Sequence, residues 1–122
     1  MLTGGMLNPG SYELVGNLVV QSLQHVHLDM IFIGVVGIDP SFGFSVTDEP
    51  EANGARAFMA ASERKIILAD HTKFCKATFA RLSTLEEIDL LITDDGIAPD
   101  QLNIFKQAGL DVIVAGEINA FN

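Results

Sequence analysis

The chain has 122 residues, with seven Lys and Arg against 16 Asp and Glu for a formal net charge of −9, 48% hydrophobic residues, a single Cys and no Trp. That length suits one domain, and nearly half apolar content with 19% charged residues excludes a disordered chain. Seven scattered cations exclude a surface that grips a nucleic-acid backbone, because phosphate contacts need clustered Lys and Arg. Cys75 has no partner for an intrachain disulfide, so a reducing cytoplasm is the expected compartment. The longest apolar run, Met30 to Ile38, falls far below the roughly 20 residues that cross a bilayer, and the start MLTGGMLNPGS has no basic stretch ahead of an apolar one. Neither a membrane span nor a signal peptide is expected.

In chain order, Leu2-Thr3 before Gly4-Gly5 reads as the stub of a strand entering a turn, and Asn8-Pro9-Gly10 continues the loop. Ser11 is placed to cap a helix over about 12–26, with Leu14, Leu18 and Leu23 at helical spacing. Asp29 to Val35 is almost continuously apolar, the pattern of a parallel strand covered on both faces. The turn formers of Gly37 to Val46 predict a loop. Asp48-Glu49-Pro50-Glu51 is the clearest helix start, with an N-cap Asp, an early Pro and a Glu at capping-box spacing, and the helix should reach about Glu63. Arg64 to Asp70 is the next apolar strand, followed by a short turn or helix over 71–76 and a further strand over 77–82. Ile88 to Thr93 is another strand, broken by Asp94-Asp95-Gly96. Pro99 opens a short helix that turns Leu102 and Phe105 inward and ends at Gly109, and Asp111 to Ala115 is the last strand. This alternation predicts a three-layer α/β domain with a mostly parallel sheet.

Ligands of such sheets sit at the carboxyl ends of strands, so the residues just after them carry the candidate chemistry. Asp70-His71-Thr72-Lys73 places an acid, a hydroxyl and a cation there. Lys73 can serve as a point charge for a phosphate or carboxylate, or simply be solvated while Asp70 caps the turn. Glu51 can accept sugar hydroxyls or act as a base, and equally can serve the capping box; Asp48 reads as a cap. Asp94-Asp95 has the form of a paired-carboxylate Mg²⁺ site but is also what a sharp polar turn looks like, and the turn is favoured. His25 and His27 lack the companions of a zinc site and are expected to flank a helix end, and Cys75 has only His71 nearby. Gly34 and Gly37 either let backbone approach a ligand or close a turn. No cofactor motif and no metal site are expected.

Taken in order, Thr3-Gly4-Gly5 ahead of a helix containing Gly16, DMIFIGVVGID from Asp29 to Asp39, Thr47 with Glu51-Ala52, LADHTKF from Leu68 to Phe74 and IDLLITDDG from Ile88 to Gly96 resemble the C-terminal effector-sensing domain of DeoR-type transcriptional repressors. The resemblance covers nearly the whole chain. It implies a fold like ribose-phosphate isomerase and the CoA transferases, with a pocket for a phosphorylated sugar or related metabolite whose binding loosens the repressor's hold on its operator. Gly37, Asp39, Thr47, Glu51, Asp70 and Lys73 would be the effector-binding residues, with Lys73 at the position that lies at the substrate in the isomerases. Where the isomerases carry two aspartates in a DGAD-type run, this chain has GVVG, so a non-catalytic sensor is expected, with a sugar-phosphate isomerase-like enzyme fragment as the alternative.

The resemblance further implies that the 122 residues form a single sensor domain without the family's winged helix-turn-helix head and without its first βα segment with a G-T-T phosphate loop. DNA would then be reached only through that missing head, no membrane is involved, and a homo-oligomer, dimer or tetramer, is expected.

Overall fold

The computed structural model describes residues 1–116. Their elements run β1 (Met6–Asn8), β2 (Glu13–Val15), α1 (Asn17–Leu23), β3 (Leu28–Gly34), β4 (Gly37–Asp39), β5 (Gly43–Val46), α2 (Glu49–Ala60), β6 (Ser62–Leu68), a 3₁₀ turn (His71–Lys73), β7 (Ala80–Ser83), a second 3₁₀ turn (Leu85–Glu87), β8 (Leu90–Asp94), α3 (Pro99–Gln107) and β9 (Val112–Ala115). The apolar runs of β3, β6, β8 and β9 pair as one parallel sheet in the order β3-β6-β8-β9, flanked by helices. The chain is therefore α/β, as its pattern predicts. Two small antiparallel sheets, β1-β2 and β4-β5-β7, complete it.

The first expected helix is replaced in its first half by a hairpin. Met6 pairs with Val15 and Asn8 with Glu13, and Asn8 closes the turn by accepting from Gly10 N–H through its side chain and from Tyr12 N–H through its carbonyl. Pro9-Gly10 lies between two short apolar stretches, a hairpin signal that competes with the helical spacing of Leu14 and Leu18. Gly16, at φ 102°, then turns the chain into α1, so the helix is capped there and not at Ser11. Val19 and Leu23 of α1 are buried while Leu18 faces solvent. The loop expected over 37–46 is likewise a hairpin, with Ile38 opposite Phe44 and the Asp39 carboxylate accepting from the N–H groups of Ser41 and Phe42.

The second helix begins as predicted. Asp48 is its N-cap, accepting from Glu51 N–H at 2.9 Å, but the helix ends at Ala60 because Ser62 already belongs to β6. Around α3, Pro99 opens the helix, Phe105 is fully buried and Gly109 leaves it at φ 92°.

Residues in register across parallel strands share a face. Ile33, Ile67, Leu91 and Val112 lie side by side, and on that face Ile31, Ile67, Leu91 and Val114 join Met59, Phe74, Leu82 and Phe105 in the main core. Phe74 and Phe105 meet edge to face at 5.1 Å. The opposite face is much barer: Met30, Phe32, Leu68 and Ile113 are each exposed by 44% or more. The expectation that β3 is covered on both sides is therefore corrected, since at the sheet edge it buries only Ile31 fully. No helix among the described residues is long and apolar enough to cross a membrane.

Candidate functional site

Parallel pairing brings the carboxyl ends of β3, β6 and β8 together, because Gly34 lies opposite Leu68 and Leu68 opposite Ile92. Two groups of polar residues gather around that edge. The first belongs to a cavity of about 890 Å³ beside β3, walled by Phe32, Val35, Val36 and Phe58 and reaching Thr47 and Glu51 at the start of α2. Its size suits a small-molecule ligand, for which pockets run roughly 300–1,000 Å³.

Glu51 is the cavity's chief titratable group. Burial pushes its pKa up, and the carboxylates of Asp48 and Glu13 add to the rise, while a backbone hydrogen bond at Thr47 partly offsets it. Asn8 in the turn of the first hairpin reaches its Oε1 at 3.5 Å, the outer limit of a hydrogen bond. With Glu13 also on the cavity wall, this end of the cavity is acidic. It suits ligand hydroxyls, which donate to carboxylates, and disfavours a phosphate.

The second group follows β6. Asp70 accepts from Thr72 N–H at 2.8 Å and from the Thr72 hydroxyl, and these bonds hold its pKa below the ordinary carboxylate value. Its geometry is that of a turn cap. Lys73 closes the turn through its backbone N–H to the Asp70 carbonyl at 3.2 Å; its side chain is half-buried and in no ion pair among the described residues. Lys73 is the cation available to an anionic group here, but it does not line the cavity that holds Thr47 and Glu51. Of the six expected effector residues, Thr47 and Glu51 line the cavity, Asp70 and Lys73 stand in the turn after β6, and Gly37 and Asp39 belong to β4 of a separate sheet, so the six are not gathered in one pocket.

Gly37 and Asp39 have structural duties. A Cβ on Gly37 would stand 2.6 Å from the Lys76 carbonyl oxygen and 2.8 Å from Ser45 Oγ, so this glycine marks a crossing of two backbone segments. Asp39 is occupied by its turn. Nothing stands within 4 Å of a Cβ built on Gly34, which faces open space at the cavity wall.

A His–Asp pair at the same edge was not singled out by sequence spacing. Nδ1 of His71 lies 3.0 Å from both carboxylate oxygens of Asp94, and His71 N–H also donates to Asp94 Oδ1 at 2.9 Å. Asp94 is thereby committed to this pair, and no group of three or more His, Cys, Asp or Glu side chains able to hold a metal occurs among the described residues. His27 lies beyond the end of α1 and meets Glu63 only at 3.9 Å, with both side chains exposed. Cys75 is exposed and receives a 3.5 Å contact from Gln101 Nε2. Thr93 Oγ1, buried near the end of β8, has no partner among the described residues.

A parallel α/β sheet with a ligand-sized cavity along its edge strand β3 suits a domain that binds a small molecule. The family profile described as the DeoR C terminal sensor domain matches residues 1–95, and the chain belongs to that family. Among curated proteins it is 38% identical over 117 residues to one of Escherichia coli O157:H7, provisionally named an aga operon transcriptional repressor, covering 96% of this chain and 44% of that protein. It is 38% identical over 115 residues to the HTH-type transcriptional repressor GlcR of Bacillus subtilis, covering 93% and 43%. It is 27% identical over 95 residues to the glycerol-3-phosphate regulon repressor of Haemophilus influenzae, covering 78% and 37%. The chain spans less than half the length of these relatives. A sensor-domain family and relatives that are transcriptional regulators place it with regulators and not with enzymes.

Proposed function

We propose that the chain senses a phosphorylated sugar or a related metabolite and transmits its binding to a helix-turn-helix head carried elsewhere in the same regulator. The observation that carries this reading is the combination of an acidic, ligand-sized cavity along β3 with Lys73, a lysine in no ion pair among the described residues, one strand away. Hydroxyls of the ligand would be accepted by Glu51 and Thr47, and its phosphate would be drawn toward Lys73. One relative is named for the glycerol-3-phosphate regulon, which supports a phosphorylated polyol as the chemical class. A ligand that binds one arrangement of the domain better than another shifts the population of the coupled heads, and operator affinity follows. In this reading the chain is one sensor domain that works in a cytoplasmic homo-oligomer, with its DNA-binding head and first βα segment lying outside it.

The test is a panel of sugar and polyol phosphates on the full-length regulator, read by operator binding and thermal denaturation. A ligand at about 100 times its Kd adds roughly 2.7 kcal/mol of stability. Lys73→Ala should lose the response to the phosphorylated compound, and Glu51→Gln should weaken it. A panel that leaves both readouts unchanged, or a Lys73→Ala variant that responds like the parent, overturns the proposal.

A further inference from the structure

His71 and Asp94 are 23 positions apart: His71 follows β6, and Asp94 is the last residue of the neighbouring parallel strand β8. Three contacts join them: the imidazole Nδ1 to each carboxylate oxygen, and the His71 N–H to one of them. The ring is also seated on Gly96, where a Cβ would lie 2.3 Å from Nδ1 and 2.6 Å from Cε1. The glycine of the Asp94-Asp95-Gly96 turn thus leaves the space that the imidazole fills. His71 opens the 3₁₀ turn that ends at Lys73, so whatever holds His71 also sets where that turn stands relative to the strand ends.

We propose that His71 is a positioning residue of the effector site: its imidazole latches the Asp70–Lys73 turn to the end of β8, presents Lys73 to an anionic ligand, and makes that presentation depend on pH. The proposal rests on the reading of Lys73 as the anion contact.

The charged groups around the imidazole are Asp94 at the end of β8, Asp95 just after it, and Asp70 and Lys73 on its own segment. The Asp94 hydrogen bond raises the pKa of His71, with further support from the charges of Asp94, Asp70 and Asp95 against a desolvation cost, while the His71 hydrogen bond lowers that of Asp94. The signs fix a window. The charged pair is complete above the lowered value of Asp94 and below the raised value of His71. As pH rises through the latter, the imidazole loses its charge and retains at most a neutral Nδ1–H bond, so the turn loosens.

The experiment is NMR on the protein between pH 5 and 9, with sulfate as the probe because its charge is constant over that range. In the parent, the His71 ring should titrate above its ordinary midpoint, and the Thr72 and Lys73 amides should follow that midpoint. Sulfate should shift the Lys73 signals and bind about threefold to fivefold more weakly above it, the scale of one exposed charged contact. Asp94→Asn should return the ring to its ordinary midpoint and uncouple the amides. His71→Asn, whose amide nitrogen can stand where Nδ1 does, should keep sulfate binding but abolish its pH dependence, whereas His71→Ala should weaken it throughout.

Amides that ignore the His71 titration, or a His71→Asn variant that retains the parent's pH profile, overturn the latch. Absence of any sulfate effect on Lys73 in the parent instead overturns the reading of Lys73 on which the latch's role depends, and the amide titration then reports on the latch alone.

Discussion

Gly37→Ala separates two roles for a residue that sequence resemblance places in the effector site. The added Cβ would meet the Lys76 carbonyl at 2.6 Å and Ser45 Oγ at 2.8 Å. The first of these is backbone, and it cannot rotate away. Relief requires the segment through Lys76 to move off β4, against the Lys76 N–H bond to the Ile38 carbonyl at 3.2 Å and the bridge between Ile38 and Phe74. Turning Ser45 aside instead costs its two bonds with Thr78, at 2.9 and 2.8 Å. Overpacking of a tight site costs about 1–3 kcal/mol, and the backbone obstacle puts this case near 3. In a chain of this length that lowers Tm by roughly 10 °C. Urea and thermal denaturation measure the loss, and the amide shifts of Lys76 and Thr78 report the displaced segment. A variant with the parent's stability and unshifted amides would refute the steric account, and if it also lost effector response Gly37 would be a ligand contact after all.

Two further outcomes follow from single atoms. Asp48→Ala removes the α2 cap and should cost about 1 kcal/mol, while the pKa of Glu51 falls toward its ordinary value because a neighbouring carboxylate has gone; an unmoved Glu51 titration would show that burial and Glu13 set it without Asp48. Thr93→Val replaces a buried hydroxyl that has no partner among the described residues with a methyl group of the same shape and should raise stability by about 1 kcal/mol in urea denaturation; a loss would mean that the hydroxyl has a partner, such as a bound water.

The sequence reveals those elements that carry their own signals. The apolar runs of β6, β8 and β9, the Asp48 cap and the Pro99 and Gly109 limits of α3 are local features; the cap and the limits of α3 fall where their residues predict, and the strands start within two residues of the expected positions. The two hairpins escape notice because strands of three or four residues are too short to show a period, and because Pro9, Gly10, Pro40 and Gly43 read as loop. Thr47 and Glu51 are recognisable by resemblance, yet nothing in one sequence tells that they open onto apolar walls formed by β3. The His71–Asp94 pair depends on β6 lying beside β8. A signal was available, since two strands adjacent in a parallel sheet deliver their following residues to the same place. The tight crossing at Gly37 has no signal at all, because the segments involved are nearly forty residues apart.

The bare side of the sheet has a consequence for the material itself. Among the described residues Met30, Phe32, Leu68 and Ile113 form an adhesive plane, and β3, at the edge of its sheet there, adds a rim of peptide groups able to recruit another strand. Opposing both is the surplus of acid, since molecules each carrying −9 repel one another. That repulsion reaches only about 10 Å at 0.1 M salt and shortens as salt is added, whereas the apolar attraction does not weaken. The charge that keeps this chain off nucleic acid is therefore also its colloidal protection, and ionic strength sets how long a concentrated sample stays clear.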